Sequence, residues 1–386
     1  MSRPAPRVVI TNDDGPPTDM SGHSPFVYPF ACALAEQLGW DVKVVVPSIQ
    51  RSCLVPGSNA QLKLELSQTP PPPSGLRVGK SYAITQVTTG RYFYPTGPNG
   101  TQGEQCELPR PLKEGEKTEW VLLDGTPATC ANIAIHSLYP PGSIDLVISG
   151  PNFGRNTSTA FALSSGTIGA AMAAALSHIP AIALSWGLME GYKPPAQSFI
   201  QGAVDVSCQI VSKLWQLGWE QSDNEHRVDV YSVNVPLMPS IISKEGPTVY
   251  WTEMAKTKYQ RLFKSTSKIP APVIKDKTHD EGGPAAIPAD KSSVDQGKDQ
   301  RAVEGQEAGA EALRMVDSHY QAPLKFVFAP DLGPLVNPTP ASLREGTDNH
   351  ALMHGAVSVT PIQAAFASAQ FPKGKAIETD GLKWRL

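Results

Sequence analysis

Two adjacent carboxylates open the chemistry of this chain: Thr11-Asn12-Asp13-Asp14-Gly15 follows directly on the apolar run Val8-Val9-Ile10. Neighbouring residues on a regular strand face opposite ways, so Asp13 and Asp14 converge only if the chain turns there, and Gly15 permits that turn. Converging carboxylates repel, and a divalent cation removes the repulsion; an Asx turn beside a solvated acid is the plainer alternative. Three further polar loops carry compatible groups. Pro47-Ser48-Ile49-Gln50-Arg51-Ser52-Cys53 offers a hydroxyl at Ser52. Gly150-Pro151-Asn152-Phe153-Gly154-Arg155-Asn156-Thr157 mixes glycines with amides and an arginine, which suits a loop around an anion or metal as well as it suits a plain turn. Ser165-Gly166-Thr167 enters an Ala-rich helix, where hydroxyls, exposed backbone N–H groups and the positive dipole end together suit a phosphate. The alternative there is an N-cap on a tightly packed helix. Asp, Asn and Ser are hard oxygen donors without His or Cys as co-ligands, a set that favours Mg²⁺, Mn²⁺ or Ca²⁺ over Zn²⁺. A hard cation beside an anion-binding helix start is the equipment of phosphoryl transfer to water.

These loops need a scaffold, and the apolar patterning supplies one. Val8–Thr11 reads as a strand buried on both faces. Ser24-Pro25 supplies a helix cap and first-turn proline, Phe26, Phe30, Leu34 and Leu38 recur at helical spacing, and Gly39 closes the segment. Val42–Val46 is the next strand, completing a βαβ unit. Val121–Leu123, Leu146–Ser149, Ala181–Ser185 and Val228–Val235 predict further strands, with helices at Thr167–Leu176 and around Phe199–Trp215. The fold class expected is α/β: a Rossmann-like doubly wound, mostly parallel sheet with a protruding hairpin and C-terminal arms. Ligands of such sheets gather at the carboxyl ends of strands, where all four polar loops lie. The core spans 1–263, with a Pro/Gly-rich excursion at about 68–118 preceded by the alternating Leu62, Leu64 and Leu66 of a hairpin arm. Lys264–His319 contains no aromatic residue, so 264–322 is expected to be a disordered insertion, and 323–386 returns to the same domain.

Composition narrows the function classes. The 386 residues carry 33 Lys+Arg against 36 Asp+Glu, a net charge of -3 without the basic excess of a polyanion binder, so no stable nucleic-acid partner is expected. No apolar run approaches the ~18 residues of a membrane span, and the start lacks a signal-peptide core. The 5 cysteines are scattered, odd in number and without C-x-x-C spacing, which predicts reduced thiols and a cytoplasmic location away from membranes. A dinucleotide-cofactor enzyme fits poorly, because the first strand leads into Asn-Asp-Asp-Gly rather than a G-x-G-x-x-G turn.

Val8-Val9-Ile10-Thr11-Asn12-Asp13-Asp14-Gly15 resembles the opening of the survival protein SurE family, metal-dependent nucleotidases and phosphatases. Five more segments are similar in the same order: Arg51-Ser52, Gly125-Thr126-Pro127-Ala128, Ser149-Gly150-Pro151-Asn152-Phe153-Gly154-Arg155-Asn156, Ser165-Gly166-Thr167-Ile168-Gly169-Ala170-Ala171, and Val357-Ser358-Val359-Thr360-Pro361 after Thr347-Asp348. The resemblance implies that Asp13, Asp14, Ser52 and Asn152 bind one divalent cation, Mg²⁺ or Mn²⁺ with Ca²⁺ in the same class. It implies that Asn156 and Ser165-Gly166-Thr167 hold the phosphate, with Asn12 beside the site contacting substrate or orienting a carboxylate. The implied activity is hydrolysis of nucleoside monophosphates, at the 5′ or 3′ position, and of other phosphate esters, by in-line attack of an activated water. Asp13 and Asp14 are the catalytic carboxylates, and a phospho-aspartyl intermediate on one of them stays open. Arms exchanged between subunits imply a homodimer or homotetramer. The alternative is a non-catalytic SurE-like module that binds nucleotide or protein.

The chain departs from the family pattern at Cys53, where Gly is usual, and at Thr129, where Asp is frequent. His23, in a lengthened first loop, is either a solvated residue or an acid for the leaving group. Lys256, Lys258, Tyr259 and Arg261 form either a solvated basic edge or a lid on the substrate. Asn156-Thr157-Ser158 fits the N-glycosylation pattern, and a sugar on Asn156 would block the proposed site.

Overall fold

Alternation along the first strand sets the layers. In β1 (Arg7–Thr11), Val8 and Ile10 bury into one hydrophobic cluster and Val9 into another on the opposite face. The structure, a computed structural model, describes residues 3–17, 25–49, 82, 87–188, 195–219, 227–258, 261–265, 326–328, 338–339, 342–365, 377–379 and 382–384.

After β1 come α1 (Val27–Leu38), β2 (Asp41–Pro47), and the hairpin β3 (Gly90–Thr96) and β4 (Gln102–Cys106). β5 (Glu119–Leu123) leads into α2 (Pro127–Ile133), which a π turn extends over Ala134–Leu138. Then follow β6 (Leu146–Phe153), α3 (Ser158–Ser164), α4 (Gly166–Leu176), β7 (Ala181–Leu188), α5 (Gln197–Leu217), β8 (Val230–Leu237) and β9 (Val249–Trp251). β10 (Phe263–Ser265), β11 (Phe326–Phe328), α6 (Asp348–Met353), β12 (Val357–Ile362), β13 (Ile377–Thr379) and β14 (Leu382–Trp384) complete the described elements.

Ten of these strands form one sheet in the order β4-β3-β5-β2-β1-β6-β7-β8-β12-β9. The run from β5 to β8 is parallel throughout. β3 joins β5 antiparallel on one flank, and β12 joins β8 antiparallel on the other. One face buries Phe26, Phe30 and Leu34 from the α1 segment with Val204, Val211 and Leu214 of α5. The other buries the Ala-rich α4 against Val9, Val147 and Ala183. Each large side chain so buried contributes roughly 1.5–3 kcal/mol. Helices on both faces of a mostly parallel sheet make this the doubly wound α/β fold.

Some boundaries move from expectation. The first helix begins at Val27 with no side-chain cap, although it stops at Gly39 as its spacing predicts. Ser24 lies outside the described residues, as do Leu62, Leu64 and Leu66. The stretch marked as an excursion contributes two sheet strands at 90–106, and within β3 Phe93 and Tyr94 are buried. Pro- and Gly-rich flanks hid them, because only pairing with β5 makes the segment a strand.

Residues 1–258 and 338–386 make one compact unit, and 259–337 a second. In the second, β10 pairs antiparallel with β11, so regular structure reaches Ser265, two residues into the range expected to be disordered. The rest of 264–322 lies outside the described residues. β13 and β14 pair antiparallel with each other.

Candidate active site

β1 has β2 on one side and β6 on the other, and successive crossovers run outward in both directions from it. That is the topological switch point, where the crevice at the strand ends receives ligands. Asn12-Asp13-Asp14 leaves β1 there, next to the end of β6. Gly15, at φ +74°, supplies the turn that the paired carboxylates require.

Both carboxylates and the Asn12 amide at this corner are held, whereas the buried hydroxyls of Thr11 and Ser149 beside them have no hydrogen-bond partner among the described residues. Asn12 accepts the Asp14 N–H through Oδ1 at 2.9 Å and donates from Nδ2 to the Pro151 carbonyl at 2.9 Å, stitching the first loop to β6. Asp14 Oδ2 accepts the Phe153 N–H at 2.8 Å. Asp13 Oδ1 accepts the Thr167 hydroxyl at 2.8 Å, and the Gly166 N–H also bonds to the Asp13 carboxylate. Position 166 must be glycine: a Cβ there would lie 2.8 Å from both Cβ and Oδ2 of Asp13. Ser165 caps its own helix, accepting the Ile168 N–H on Oγ at 3.1 Å. Hence the start of α4, expected to cradle phosphate, also cradles a carboxylate.

Asp13 and Asp14 are both buried. Burial first, and then the charge of Asp14, push the Asp13 carboxyl up to about 7, against the pull of the Thr167 and Gly166 hydrogen bonds. Two carboxylates in this condition suit a cation. The neighbouring donors agree: Asn152 commits its Nδ2 to the Gly154 carbonyl at 2.9 Å, which leaves its amide oxygen as the end for a metal. Among the described residues no three His, Cys, Asp or Glu side chains come together, so amide, hydroxyl and water oxygens would complete the shell. Ser52 lies outside the described residues, together with Cys53, His23 and Tyr259.

Asn156 follows the β6 loop and is also buried. Its N–H donates to Asn234 Oδ1 at 2.8 Å and its Nδ2 to Ser185 Oγ at 2.9 Å. Burial and the Ser185 bond leave no room for a glycan on that nitrogen, while its second N–H stays available to a small anion. Asn234 and Ser185 were missed in the sequence, although a polar residue inside an otherwise apolar buried strand is a signal that could have found them. Asp348, in the Thr347-Asp348 pair, gains a role only from the tertiary structure: its carboxylate accepts N–H groups from Ser158, Ala255 and Asn349. Burial raises its pKa, while those three bonds and the charge of Arg155 oppose the rise. Thr129 sits in the cap of α2, its hydroxyl 2.9 Å from that of Thr126. Lys256 and Lys258 are exposed on either side of Thr257.

Comparison with known proteins decides the family: the model described as Survival protein SurE matches residues 8–261. The chain belongs to the SurE family. Its SurE relatives include the 5′-nucleotidase SurE of Nitratiruptor sp., 32% identical over 179 residues, which is 44% of this chain and 67% of that protein. The 5′-nucleotidase SurE of Carboxydothermus hydrogenoformans is 30% identical over 47% of this chain and 63% of its own length. A Saccharomyces cerevisiae protein named Probable tubulin–tyrosine ligase PBY1 is 32% identical over 266 residues, 67% of this chain but only 32% of that protein. The match thus spans about a third of the yeast protein, and about two thirds of the bacterial nucleotidases. Among solved structures, the SurE protein from Aquifex aeolicus matches with TM-score 0.51 and 19% identity, covering 93% of this chain and 94% of that one. At that identity the likeness shows the fold. Among the described residues no single helix is long and apolar enough to cross a membrane.

Proposed function

We propose that this SurE chain is a phosphomonoesterase that hydrolyses nucleoside monophosphates, using one divalent cation, Mg²⁺ or Mn²⁺. The observation that carries the reading is the buried Asp13–Asp14 pair at the switch point, set against the N-terminal turn of α4. SurE relatives named 5′-nucleotidases support the substrate class.

Asp13, Asp14 and Asn152, with Ser52 from the second loop, are the residues that would hold the ion. Bound there, the ion would polarise a phosphoryl oxygen and neutralise charge that develops on it. The chain's own groups do the rest. The Thr167 hydroxyl and Gly166 N–H fix the orientation of Asp13, and the Phe153 N–H fixes Asp14. A carboxylate aimed in this way is placed to take the proton of an attacking water. Asn156 and the Ser165 hydroxyl supply donors for the equatorial phosphoryl oxygens, beside the positive end of the helix dipole. Asn12, tied to Pro151 and Asp14, orients the carboxylate loop.

The test is phosphate release from an aryl phosphate and a panel of nucleoside monophosphates, with Mg²⁺ or Mn²⁺ and with chelator. Wild type is run beside Asp13→Asn and Asp14→Asn. Metal-dependent release that both substitutions abolish is the expected result. Folded protein that releases no phosphate with either metal would sink the enzyme reading in favour of a binding module.

A further inference from the structure

The buried Asp348 carboxylate lies 190 positions from Ser158 in the chain, yet its Oδ2 accepts the Ser158 N–H at 2.8 Å. Its Oδ1 accepts the Ala255 N–H at 2.9 Å and the Asn349 N–H at 2.7 Å. Ser158 is held at φ +70°, a left-handed conformation that residues with a Cβ avoid. The strap Ala255–Thr257 runs along the same turn. Thr159 donates both its N–H and its hydroxyl to the Ala255 carbonyl, at 2.8 and 3.0 Å. Thr257 accepts the Ala160 N–H and donates its hydroxyl to Ser158 Oγ, both at 3.0 Å.

Two residues before Ser158 stands Asn156, pinned from the sheet side by Asn234 and Ser185. Without an outside hold a residue with a Cβ favours negative φ, which would redirect the chain leaving Asn156. We infer that Asp348 is a positioning residue: it locks Ser158 in the left-handed turn and so keeps the Asn156 carboxamide at the phosphate. The inference rests on the phosphatase reading above. It explains why a buried carboxylate is spent on three backbone N–H groups, each of which would be left unsatisfied by its removal.

The experiment measures KM and kcat on an aryl phosphate, the inhibition constant of inorganic phosphate, and the Mn²⁺ concentration for half activation. The proteins are wild type, Asp348→Asn, Thr257→Val, and Asp348→Asn combined with Ser158→Gly. In Asp348→Asn the phosphate inhibition constant and KM are expected to rise about tenfold, the effect of losing the hold on one left-handed residue. The Mn²⁺ midpoint is expected to stay unchanged, because the metal loops are not touched. Ser158→Gly takes positive φ without help, so the double variant is expected to recover most of the phosphate affinity. A folded Asp348→Asn with wild-type phosphate affinity overturns the inference, as does a double variant no better than the single. Should Asp348→Asn fail to melt cooperatively, Thr257→Val decides: weaker phosphate binding is expected, and an unchanged constant overturns the idea. A wild type that neither releases nor binds phosphate removes the phosphatase reading and this inference together; an active wild type with an indifferent Asp348→Asn removes this inference alone.

Discussion

Asp13 carries two conflicting demands, burial and charge. A buried acid beside another favours its neutral form, so in chelator this group costs the fold little below its ordinary value of 3.8. The cost grows as pH rises and is complete once pH passes about 7. Asp13→Asn is therefore expected to raise the melting temperature in chelator at pH 8 by about 2 °C or more, and to flatten its pH dependence between 4 and about 7. The same substitution should lower kcat/KM on the order of a hundredfold or more. Divalent metal should stabilise wild type and leave the variant's melt unmoved. Calorimetry across pH with and without Mg²⁺ checks the melting predictions, and the phosphate assay reads the rate. Gly166 makes a sharper case, since a Cβ there meets Asp13 at 2.8 Å. Gly166→Ala should destabilise by about 1–3 kcal/mol and displace the carboxylate, so that activity falls even where the chain stays folded.

At the scale of elements, α4 works because its residues are small. Ala170 and Ala173 meet Ala128 and Ala131 of α2 in a cluster of alanines, which lets the two helices approach closely. Ala170→Leu is expected to cost about 1–3 kcal/mol in denaturant unfolding, with some loss of activity as Thr167 shifts from Asp13. The Ala-rich helix was legible in the sequence because its composition is unusual. α2 and α3 were not, being seven residues each and without an apolar stripe of their own. The run Leu146–Ser149 predicts that β6 ends at Ser149. The strand continues to Phe153 through a register shift against β7 between Ser149 and Asn152, and so carries Asn152, a proposed metal ligand, on a strand rather than on a free loop.

At the scale of the whole molecule, every described residue of the proposed site comes from 1–258 or 338–386. Ser265 and Phe326 are cross-strand partners at the ends of β10 and β11, close enough for a two-residue turn to join them. Replacing 266–325 by Asn-Gly is expected to leave kcat/KM within about twofold and the melt cooperative. A large loss of activity in that folded deletion would bring the insertion into the catalytic account. Such a loss would also favour the view that long insertions in this chain serve a partner.

Sequence alone determined the parallel core and which polar residues lie at its edge. β-Branched runs such as Val8–Ile10 and the Val-rich Val42–Val46 favour buried strands, and polar residues directly after them fall at the strand ends. The Asp13–Asp14 pair, Asn152, Asn156 and Ser165–Thr167 were visible for that reason. The tertiary structure alone decided what holds them. That the start of α4 bonds Asp13, that Asn234 and Ser185 clasp Asn156, and that Asp348 reaches back to Ser158 are contacts between residues 29 to 190 positions apart. Local pattern carries periodicity and turn chemistry, whereas long-range pairing is set by which strands and loops the closed sheet brings together.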